Sequence, residues 1–318
     1  MKIPSRCILG TRGSALALVQ AEATESALRR SFPHMEIVRK VIKTTGDKRT
    51  DVALSEVAKA DGTFDKGVFI KEIEEALEAG EIDIAVHSLK DLPTNLGAGF
   101  QLAAVLPRAA VRDVLISHDE GGLNRLKIGA RVGTSSVRRA HQLQWLRKDL
   151  KISDLRGNVP TRIEKCAESG DYDAIVLAEA GLVRLGFLNK KSSAKNQPER
   201  LKKFPSLFAT RMAESEFFPA AGQGAIGLEV RAEDAANLAL AAALSHANSW
   251  LRTRAEREFL RLLDGGCNTP VGIFSKYLRG KLTLHARVFP ENGGHPLCGQ
   301  ATGQDPLSVA HQLFHNLS

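Results

Sequence analysis

The sequence has no apolar run that approaches the ~20 residues of a membrane-spanning helix. Its first six residues contain no apolar signal segment and lead into a predicted strand, so we expect a cytoplasmic protein without a membrane partner. It also has no Cys-x-x-Cys pair. The four cysteines are single residues at positions 7, 166, 267 and 298, a pattern that favours free thiols over a zinc site or a redox dithiol.

Nucleic-acid motifs are also missing, although the net charge is +8. Residues 189–206 contain six Lys or Arg and one Glu, which is +5 of that charge, together with two prolines and three serines. This composition predicts a solvated, mobile insertion. Because the rest of the chain is nearly balanced in charge, and no zinc finger, RNP signature or helix-turn-helix is present, we expect no nucleic-acid partner.

The order of predicted elements divides the chain into three parts. Buried strands alternate with amphipathic helices up to about residue 108, and the same alternation begins again at Val114. Ser14 and Ser136 stand where they can cap the helices that follow them. Helices and strands after residue 233 predict a smaller α+β unit. Two α/β lobes would leave a cleft between them, with ligands at the carboxyl ends of strands.

Arginine recurs at the starts of predicted helices. A helix N-terminus is already electropositive, so a cation there slightly destabilises the helix. An anion bound at the same place would offset this cost. Any single one could be a plain surface charge, but the repeated placement indicates bidentate carboxylate or phosphate binding. The residues concerned are Arg12, Arg138, Arg139, Arg156, Arg162 and Arg184.

Two further positions suggest chemistry. Lys90 and Asp91 follow the predicted buried strand 82–86, at the end of the strand where ligands bind. Asp91 is either half of an exposed ion pair or a carboxylate that handles protons inside the cleft. Cys267 follows Gly265 and Gly266 in a predicted loop, which makes it the cysteine best placed to hold a group covalently.

Assembled, these residues closely resemble the motifs of the porphobilinogen deaminase (hydroxymethylbilane synthase) family, from Arg6 to about Val288. The matching motifs are Thr-Arg-Gly-Ser-Ala-Leu-Ala at 11–17, Thr-Gly-Asp at 45–47, His-Ser-Leu-Lys-Asp-Leu-Pro at 87–93, Gly-Thr-Ser-Ser-Val-Arg-Arg at 133–139, Leu-Arg-Gly-Asn-Val at 155–159, Ala-Gly-Leu-Val-Arg-Leu-Gly at 180–186, Gly-Gln-Gly-Ala at 222–225 and Gly-Gly-Cys at 265–267. Eight motifs in the order of the family make the resemblance specific.

The resemblance implies a transferase of the hydroxymethylbilane synthase type. Such an enzyme condenses four porphobilinogen molecules head to tail, releases four ammonia molecules and yields the linear tetrapyrrole hydroxymethylbilane for tetrapyrrole and heme biosynthesis. The implied cofactor is a dipyrromethane bound covalently as a thioether. The implied partners are porphobilinogen and the growing polypyrrole, and we expect a monomer.

The resemblance also assigns roles to residues. Cys267 matches the attachment cysteine and Asp91 the catalytic carboxylate. The matched cofactor contacts are Asp47, Ser88, Lys90, Thr134, Ser135, Ser136, Arg138 and Arg139. The matched substrate contacts are Arg12, Ser14, Gln20, Arg156, Arg162, Arg184 and Gln223.

The implied fold has two doubly wound, mixed-sheet lobes like those of periplasmic binding proteins, plus a small α+β domain. The chain near Gln223 would return to the first lobe. The expected division is 1–108 with 214–232 for the first lobe, 109–213 for the second lobe with the basic insertion 189–206, and 233–318 for the cofactor-attachment domain.

Three features depart from the family pattern. Residues 61–65, which lie outside the residues that the structure describes, differ from the compact glycine-rich loop, an expected mobile lid, that is common before Lys66 and Gly67. The basic insertion is longer than usual, and Glu179 adds an acid near Arg184 that could weaken the binding of substrate by this arginine. Two other functions compete with the deaminase. A non-catalytic two-lobe small-anion binding protein explains the arginines but not the Gly-Gly-Cys loop. A cysteine hydrolase would need a histidine partner for Cys267, and none is evidently placed for it.

Overall fold

The structure is a computed structural model, which describes residues 3–45, 70–190, 197–263, 270–290 and 293–317. The described part of the chain forms three sheets. Its helices are α1 Ala15–Ser31, α2 Lys71–Glu78, α3 Val137–Leu146, α4 Val159–Glu168, α5 Glu179–Arg184, α6 Ala235–Ala242, α7 Ala247–Leu262 and α8 Pro306–Leu317. Its strands are β1 Arg6–Arg12, β2 Glu36–Ile42, β3 Ile84–Ser88, β4 Phe100–Val105, β5 Asp113–Ser117, β6 Arg131–Gly133, β7 Lys151–Ser153, β8 Ala174–Ala178, β9 Glu199–Leu201, β10 Phe204–Arg211, β11 Ile226–Arg231, β12 Val271–Leu278, β13 Lys281–Val288 and β14 Leu297–Gly303.

The first sheet has the order β2-β1-β3-β11-β4. Strand β1 is parallel to β2 and β3, whereas β11 is antiparallel to β3 and β4. Helix α1 begins where predicted, because the Ser14 hydroxyl accepts a hydrogen bond from the Ala17 amide at 3.3 Å. Its buried face, which includes Leu28, packs on the apolar residues of β1 and β3.

The second sheet repeats this arrangement with the order β7-β6-β8-β5-β10-β9. Here β6 is parallel to β7 and β8, and β5 is antiparallel to β8 and β10. The chain crosses from the first sheet to the second between β4 and β5, and returns between β10 and β11. Strands β5 and β11, each antiparallel to both of its neighbours, therefore each lie directly beside an interlobe crossing. The predicted mixed α/β fold with two lobes is confirmed.

The basic insertion differs from the prediction. Residues 199–206 fall largely in β9 and β10, which form an antiparallel pair at the edge of the second sheet. Leu201 is buried and Phe204 packs beside it on the second lobe's core. The expectation of a solvated segment throughout 189–206 was therefore wrong. Residues 191–196 of the same segment lie outside the described residues.

A third sheet, ordered β12-β13-β14, completes the predicted α+β unit. Helices α7 and α8 cover it, and Phe259, Leu284 and Leu313 lie in one core. Helix α6 packs differently, since its Leu240 lies in the core of the first lobe against β4 and β11. Within the described ranges, no helix has the length and hydropathy to cross a membrane.

A buried ion pair joins the three parts of the molecule. The Arg108 guanidinium donates two hydrogen bonds to the Glu256 carboxylate, at 2.6 and 2.8 Å, and a third to the Gln223 carbonyl at 2.9 Å. The other donors to Glu256 are the Gly222 amide at 2.9 Å and the Ser275 hydroxyl. This single carboxylate on α7 therefore contacts both interlobe crossings and β12.

We expect Glu256→Gln to lower the free energy of unfolding by about 3–5 kcal/mol, because it leaves the Arg108 charge buried without its partner. Urea unfolding followed by circular dichroism measures this. The matched control is Glu258→Gln on the same helix. Glu258 pairs with the exposed Arg261 and His311, and such pairs contribute about 0–1 kcal/mol. If both variants lost the same free energy of unfolding, the Arg108–Glu256 ion pair would have no special importance for stability.

Candidate functional site

A cleft of about 650 Å³ lies where parallel strands of both lobes end. Arg12 is the last residue of β1, and Lys90 and Asp91 follow β3 in a one-turn 3-10 helix, Leu89–Asp91. From the second lobe, Ser135 follows β6 and Arg156 follows β7. All five side chains line the cleft. The expected position of a ligand, at the carboxyl ends of strands, is therefore occupied by this cleft.

The cleft is strongly electropositive. Asp91 carries the one carboxylate among the described lining residues. The cationic side chains that line it number seven, namely Arg12, Lys43, Lys90, Arg139, Arg156, Arg162 and Arg184. Because cleft walls of low dielectric focus such a field, this surface is suited to a ligand with several negative charges.

A second cavity of about 280 Å³ adjoins the first. The residues shared by both cavities are Lys90, Asp91, Ser135, Arg139 and Arg162. The far wall of the second cavity consists of Leu260, Val271 and Ile273 from the third unit. Asp91 therefore lies at the junction of an arginine-rich cleft and a smaller chamber that reaches the α+β unit.

A fully buried carboxylate, that of Asp113, organises the second cavity. It accepts a hydrogen bond from Arg138 at 2.7 Å and two from Arg139 at 2.7 and 3.1 Å. Gln223 donates to it at 3.2 Å. Burial alone would raise the pKa of Asp113, but Arg138 and Arg139 outweigh that effect and lower the pKa to about 2. The site residues predicted at 138, 139 and 223 are thus joined by one acid.

The turn after β6 is held by its own hydroxyl groups. Ser136 caps α3 by accepting from the Arg139 amide, as predicted. Ser135 donates to the Leu155 carbonyl at 2.6 Å and so pins this turn to the end of β7. Ser135 and Ser136 line the cavities. Thr134 does not, because its buried hydroxyl accepts from the Ser136 amide at 3.1 Å within the turn.

The segment that carries Asp91 is supported from behind by residues 222–224. Gly222 has φ of 70°, and a Cβ atom there would stand 3.2 Å from the Lys90 nitrogen. Gly224 has φ of 82°, and a Cβ atom there would meet the carbonyl oxygens of Ala109 and Ala110 at 2.8 Å. Both positions therefore require glycine. On the other side, Gln20 and Ser88 hydrogen-bond each other at 2.8–2.9 Å at the rim of the cleft.

Two arginines of the second lobe, Arg162 and Arg184, are held in the cleft by hydrogen bonds to backbone carbonyls. Arg162 donates to the Gly157 carbonyl at 2.7 Å, and Arg184 to the Gly224 carbonyl at 2.9 Å. Burial lowers the pKa of each guanidinium to about 10, which leaves both cationic at neutral pH. Within the described ranges neither forms an ion pair.

The expected interference of Glu179 with Arg184 was wrong. Glu179 is buried, and its carboxylate instead binds Arg112 at 2.8 Å and Arg211 at 2.7 Å. Neither of these arginines lines either cavity. The acid is therefore neutralised inside the second lobe, away from the face of α5 that carries Arg184.

Not every predicted site residue can be located. Asp47 and Cys267 lie outside the described residues. The predicted residues that line at least one cavity are Arg12, Ser14, Gln20, Ser88, Lys90, Asp91, Ser135, Ser136, Arg138, Arg139, Arg156, Arg162, Arg184 and Gln223. Two residues of the site were not predicted from the sequence, namely Lys43, which directly follows β2, and Asp113. An acid at the start of the apolar strand β5 was the available signal for Asp113.

Comparison with known proteins gives the site its context. The family model "Porphobilinogen deaminase, dipyromethane cofactor binding domain" matches residues 7–239. The family model "Porphobilinogen deaminase, C-terminal domain" matches residues 250–317. The porphobilinogen deaminase of Chlorobaculum parvum is 42% identical over 295 residues, which are 93% of this chain and 87% of that protein. The porphobilinogen deaminase of Syntrophobacter fumaroxidans is 41% identical over 285 residues, 90% of this chain and 84% of that protein. Among solved structures, the methionine binding protein MetQ matches 80% of this chain and 95% of its own, with a TM-score of 0.43 and 11% identity.

The fold and the cavities thus define a two-lobe protein with an anion-binding cleft. The chain belongs to the porphobilinogen deaminase family. It is a transferase of porphyrin biosynthesis, and its cofactor is a dipyrromethane. Among the described residues, no group of histidine, cysteine and acidic side chains has the geometry to hold a metal ion.

We expect Lys90 to react with amine reagents at unusually low pH. The pKa of Lys90 is lowered to about 8, mainly by burial; Asp91 opposes this effect, and Arg139 adds to it. An amine reacts only when unprotonated, so its labelling should rise as pH increases through about 8, whereas an ordinary lysine has a pKa of about 10.4. Competitive acetylation of the apoprotein, read by peptide mass spectrometry, measures the midpoint. Lys90→Gln is the control for assignment, and a midpoint near 10 would sink the prediction.

Proposed function

We propose that this protein joins four porphobilinogen molecules head to tail, with release of ammonia, to give hydroxymethylbilane. The observation that carries the proposal is Asp91, the one described carboxylate among the seven cations of the cleft. It stands where that cleft meets the chamber beside the third unit. An anion-binding protein without catalysis would have no use for a carboxylate in that place, since it would repel the ligand.

The substrate is bound by charge. Each porphobilinogen carries an acetate and a propionate, and the guanidinium groups of Arg12, Arg156, Arg162 and Arg184 line the larger cleft. Arginine suits these groups because its planar donors match a carboxylate in a bidentate fashion. Ser14 and Gln20 at the same wall supply neutral donors. Porphobilinogen and the growing polypyrrole are therefore the ligands that we assign to the larger cleft.

The second cavity fits the dipyrromethane. Arg138 Nε is a buried donor, and Gln223 Oε1 a buried acceptor, that have no hydrogen-bond partner in the described part of the chain. Both side chains line this cavity. A dipyrromethane with acidic side chains offers carboxylates to the first atom and a pyrrole N–H to the second. We assign the cofactor to Arg138, Arg139, Lys90, Ser135 and Ser136, which line this cavity, with Asp47 and Gln223 as further contacts of cofactor and substrate. The predicted cofactor contacts of Ser88 and Thr134 are not carried into this proposal, because Ser88 lines the larger cleft and Thr134 lines neither cavity.

Asp91 would act on the reacting atoms. When bound, the dipyrromethane supplies the nucleophilic pyrrole carbon to which the first substrate unit joins. The Asp91 carboxyl group protonates the leaving amine of porphobilinogen, whose C–N bond breaks to give ammonia. The carboxylate then stabilises the positive charge that develops on the substrate's pyrrole nitrogen. After the carbon–carbon bond has formed, the same oxygen accepts the ring proton, which restores the acid for the next cycle.

We further propose that Cys267 holds the cofactor through a thioether. Burial raises the pKa of Cys7 and of Cys166 to about 12, which suppresses the thiolate at neutral pH. Cys298 is exposed on β14, in the third sheet. Leu260, near the end of α7 and a few residues before the Gly-Gly-Cys motif, lines the second cavity. The chain position of Cys267 thus supports its assignment.

The domain division that we propose keeps 1–108 with 214–232 as the first lobe and 109–213 as the second. Because α6 packs in the first lobe's core, we extend that lobe through α6 and begin the attachment domain at α7 rather than at residue 233. The break between the two family matches, after residue 239 and before residue 250, supports this boundary. We propose that the enzyme acts as a cytoplasmic monomer.

We expect Cys267→Ala to give a folded protein without cofactor and without activity, because none of the three cysteines that the structure describes lines the second cavity. Intact mass should show two pyrrole units on the wild type and none on this variant. Cys298→Ala is the matched control and should retain the added mass. A Cys267→Ala protein with the added mass and full activity would refute the attachment.

We expect Asp91→Asn to keep the cofactor mass but to lose turnover by a factor on the order of 10²–10⁴, since the amide neither donates nor accepts the proton. Ammonia release from porphobilinogen measures turnover, and intact mass measures cofactor content. The exposed Asp171→Asn is the control for the chemical change alone. Normal turnover by Asp91→Asn would remove the acid–base role from this residue.

A further inference from the structure

Asp113 does not line either cavity, yet every residue that donates to its side chain lines the second cavity. Its carboxylate is fully buried at the first position of β5. One oxygen accepts from Arg138, and the other accepts from Arg139 and from Gln223. The acid is therefore a support behind the wall of the chamber, not a part of its surface.

The same carboxylate joins the two interlobe crossings. Asp113 ends the crossing from the first lobe to the second, and Gln223 belongs to the crossing that returns. Beside their contact, Gln223 donates to the Val111 carbonyl at 2.6 Å, and the Ala109 amide donates to the Gly224 carbonyl at 3.1 Å. The two crossings thus run side by side, and the arginines of α3 are fixed to both.

Without the Asp113 carboxylate, the side chains of Arg138 and Arg139 would not keep these positions. Arg138 and Arg139 are adjacent in sequence and both buried, so their charges repel each other at short range. Their other described acceptors are backbone carbonyls, those of Phe218 and Val176. A neutral group at position 113 would leave the two buried cations with only the dipoles of backbone carbonyls as partners. The guanidinium groups would then turn toward solvent or toward those carbonyls.

We propose that Asp113 is a positioning residue, which fixes the two guanidinium groups and the Gln223 amide so that the second cavity can take up the dipyrromethane. This inference rests on the proposed function of that cavity. It concerns cofactor uptake rather than the chemistry at Asp91. Its readout is therefore the rate at which cofactor becomes attached, which needs no measurement of turnover.

The experiment compares full-length proteins prepared as apoprotein from cells that cannot make porphobilinogen. Each is incubated with porphobilinogen, and the intact mass is recorded over time. We expect Asp113→Asn to gain the two pyrrole units on the order of 10- to 100-fold more slowly than the wild type, the loss that a displacement of about 1 Å produces in a preorganised site. Melting temperature and circular dichroism are recorded for every variant.

Two further variants separate positioning from stability. Glu179→Gln removes another buried acid of the second lobe that holds two arginines, but neither of those arginines lines a cavity. It should lose stability as Asp113→Asn does and load cofactor at the wild-type rate. Asp113→Glu keeps the charge but lengthens the side chain by one methylene group. It should regain the melting temperature while loading remains slow, and it carries the comparison if Asp113→Asn does not fold.

The outcomes are distinct. Wild-type loading rates in both Asp113 variants, or restored loading in Asp113→Glu, would overturn the positioning role, because charge alone would then suffice. Slow loading in Glu179→Gln as well would also overturn it, since any buried acid of the lobe would have the same effect. If the wild type itself gains no pyrrole units and consumes no porphobilinogen, the proposed function fails, and it does so independently of Asp113.

Discussion

The structure depends on buried carboxylates that neutralise arginine below the surface of the cleft. Asp113, Glu179 and Glu256 are each almost wholly inaccessible, and each binds one or two guanidinium groups. Ion pairs of this kind contribute little net stability compared with apolar packing, but removing one partner is costly. Their value here is geometric. Asp113 and Glu256 lie where the two interlobe crossings meet, whereas Glu179 lies inside the second lobe. Asp113 in addition fixes the position of two cations that line the second cavity.

This constraint divides the arginines into two groups that the sequence shows as one. Arg138 and Arg139 are buried and share the Asp113 carboxylate, an arrangement that suits a ligand that stays in place. Arg162 and Arg184 donate to backbone carbonyls, and in the described ranges they have no ion pair. Their charges remain available to carboxylates that come and go. The distinction follows the proposed ligands, a resident cofactor and a passing substrate, but not the walls of the cavities, because Arg139 and Arg162 line both.

What could be predicted from the sequence is what local chemistry determines. The cap at Ser14 needs only the Ala17 amide three residues away, and the strand–helix order that places Asp91 at a strand end is equally local. Residues 199–206 were expected to be solvated because their composition is polar, but burial of Leu201 depends on a lobe core assembled from distant strands. The role of Asp113 could not be seen, because its partners come from positions 138, 139 and 223.

On the proposed function, the electrostatics of the cleft change as the product grows. The seven cations are fixed in number, whereas each added unit brings an acetate and a propionate. The first units therefore enter a field of excess positive charge, and later units enter one that is progressively compensated. Attraction for the next substrate weakens with each cycle. Since Asp91 is the carboxylate common to both cavities, the reacting end must return to it while the completed units move away. A site of this design limits chain length by charge balance as well as by volume.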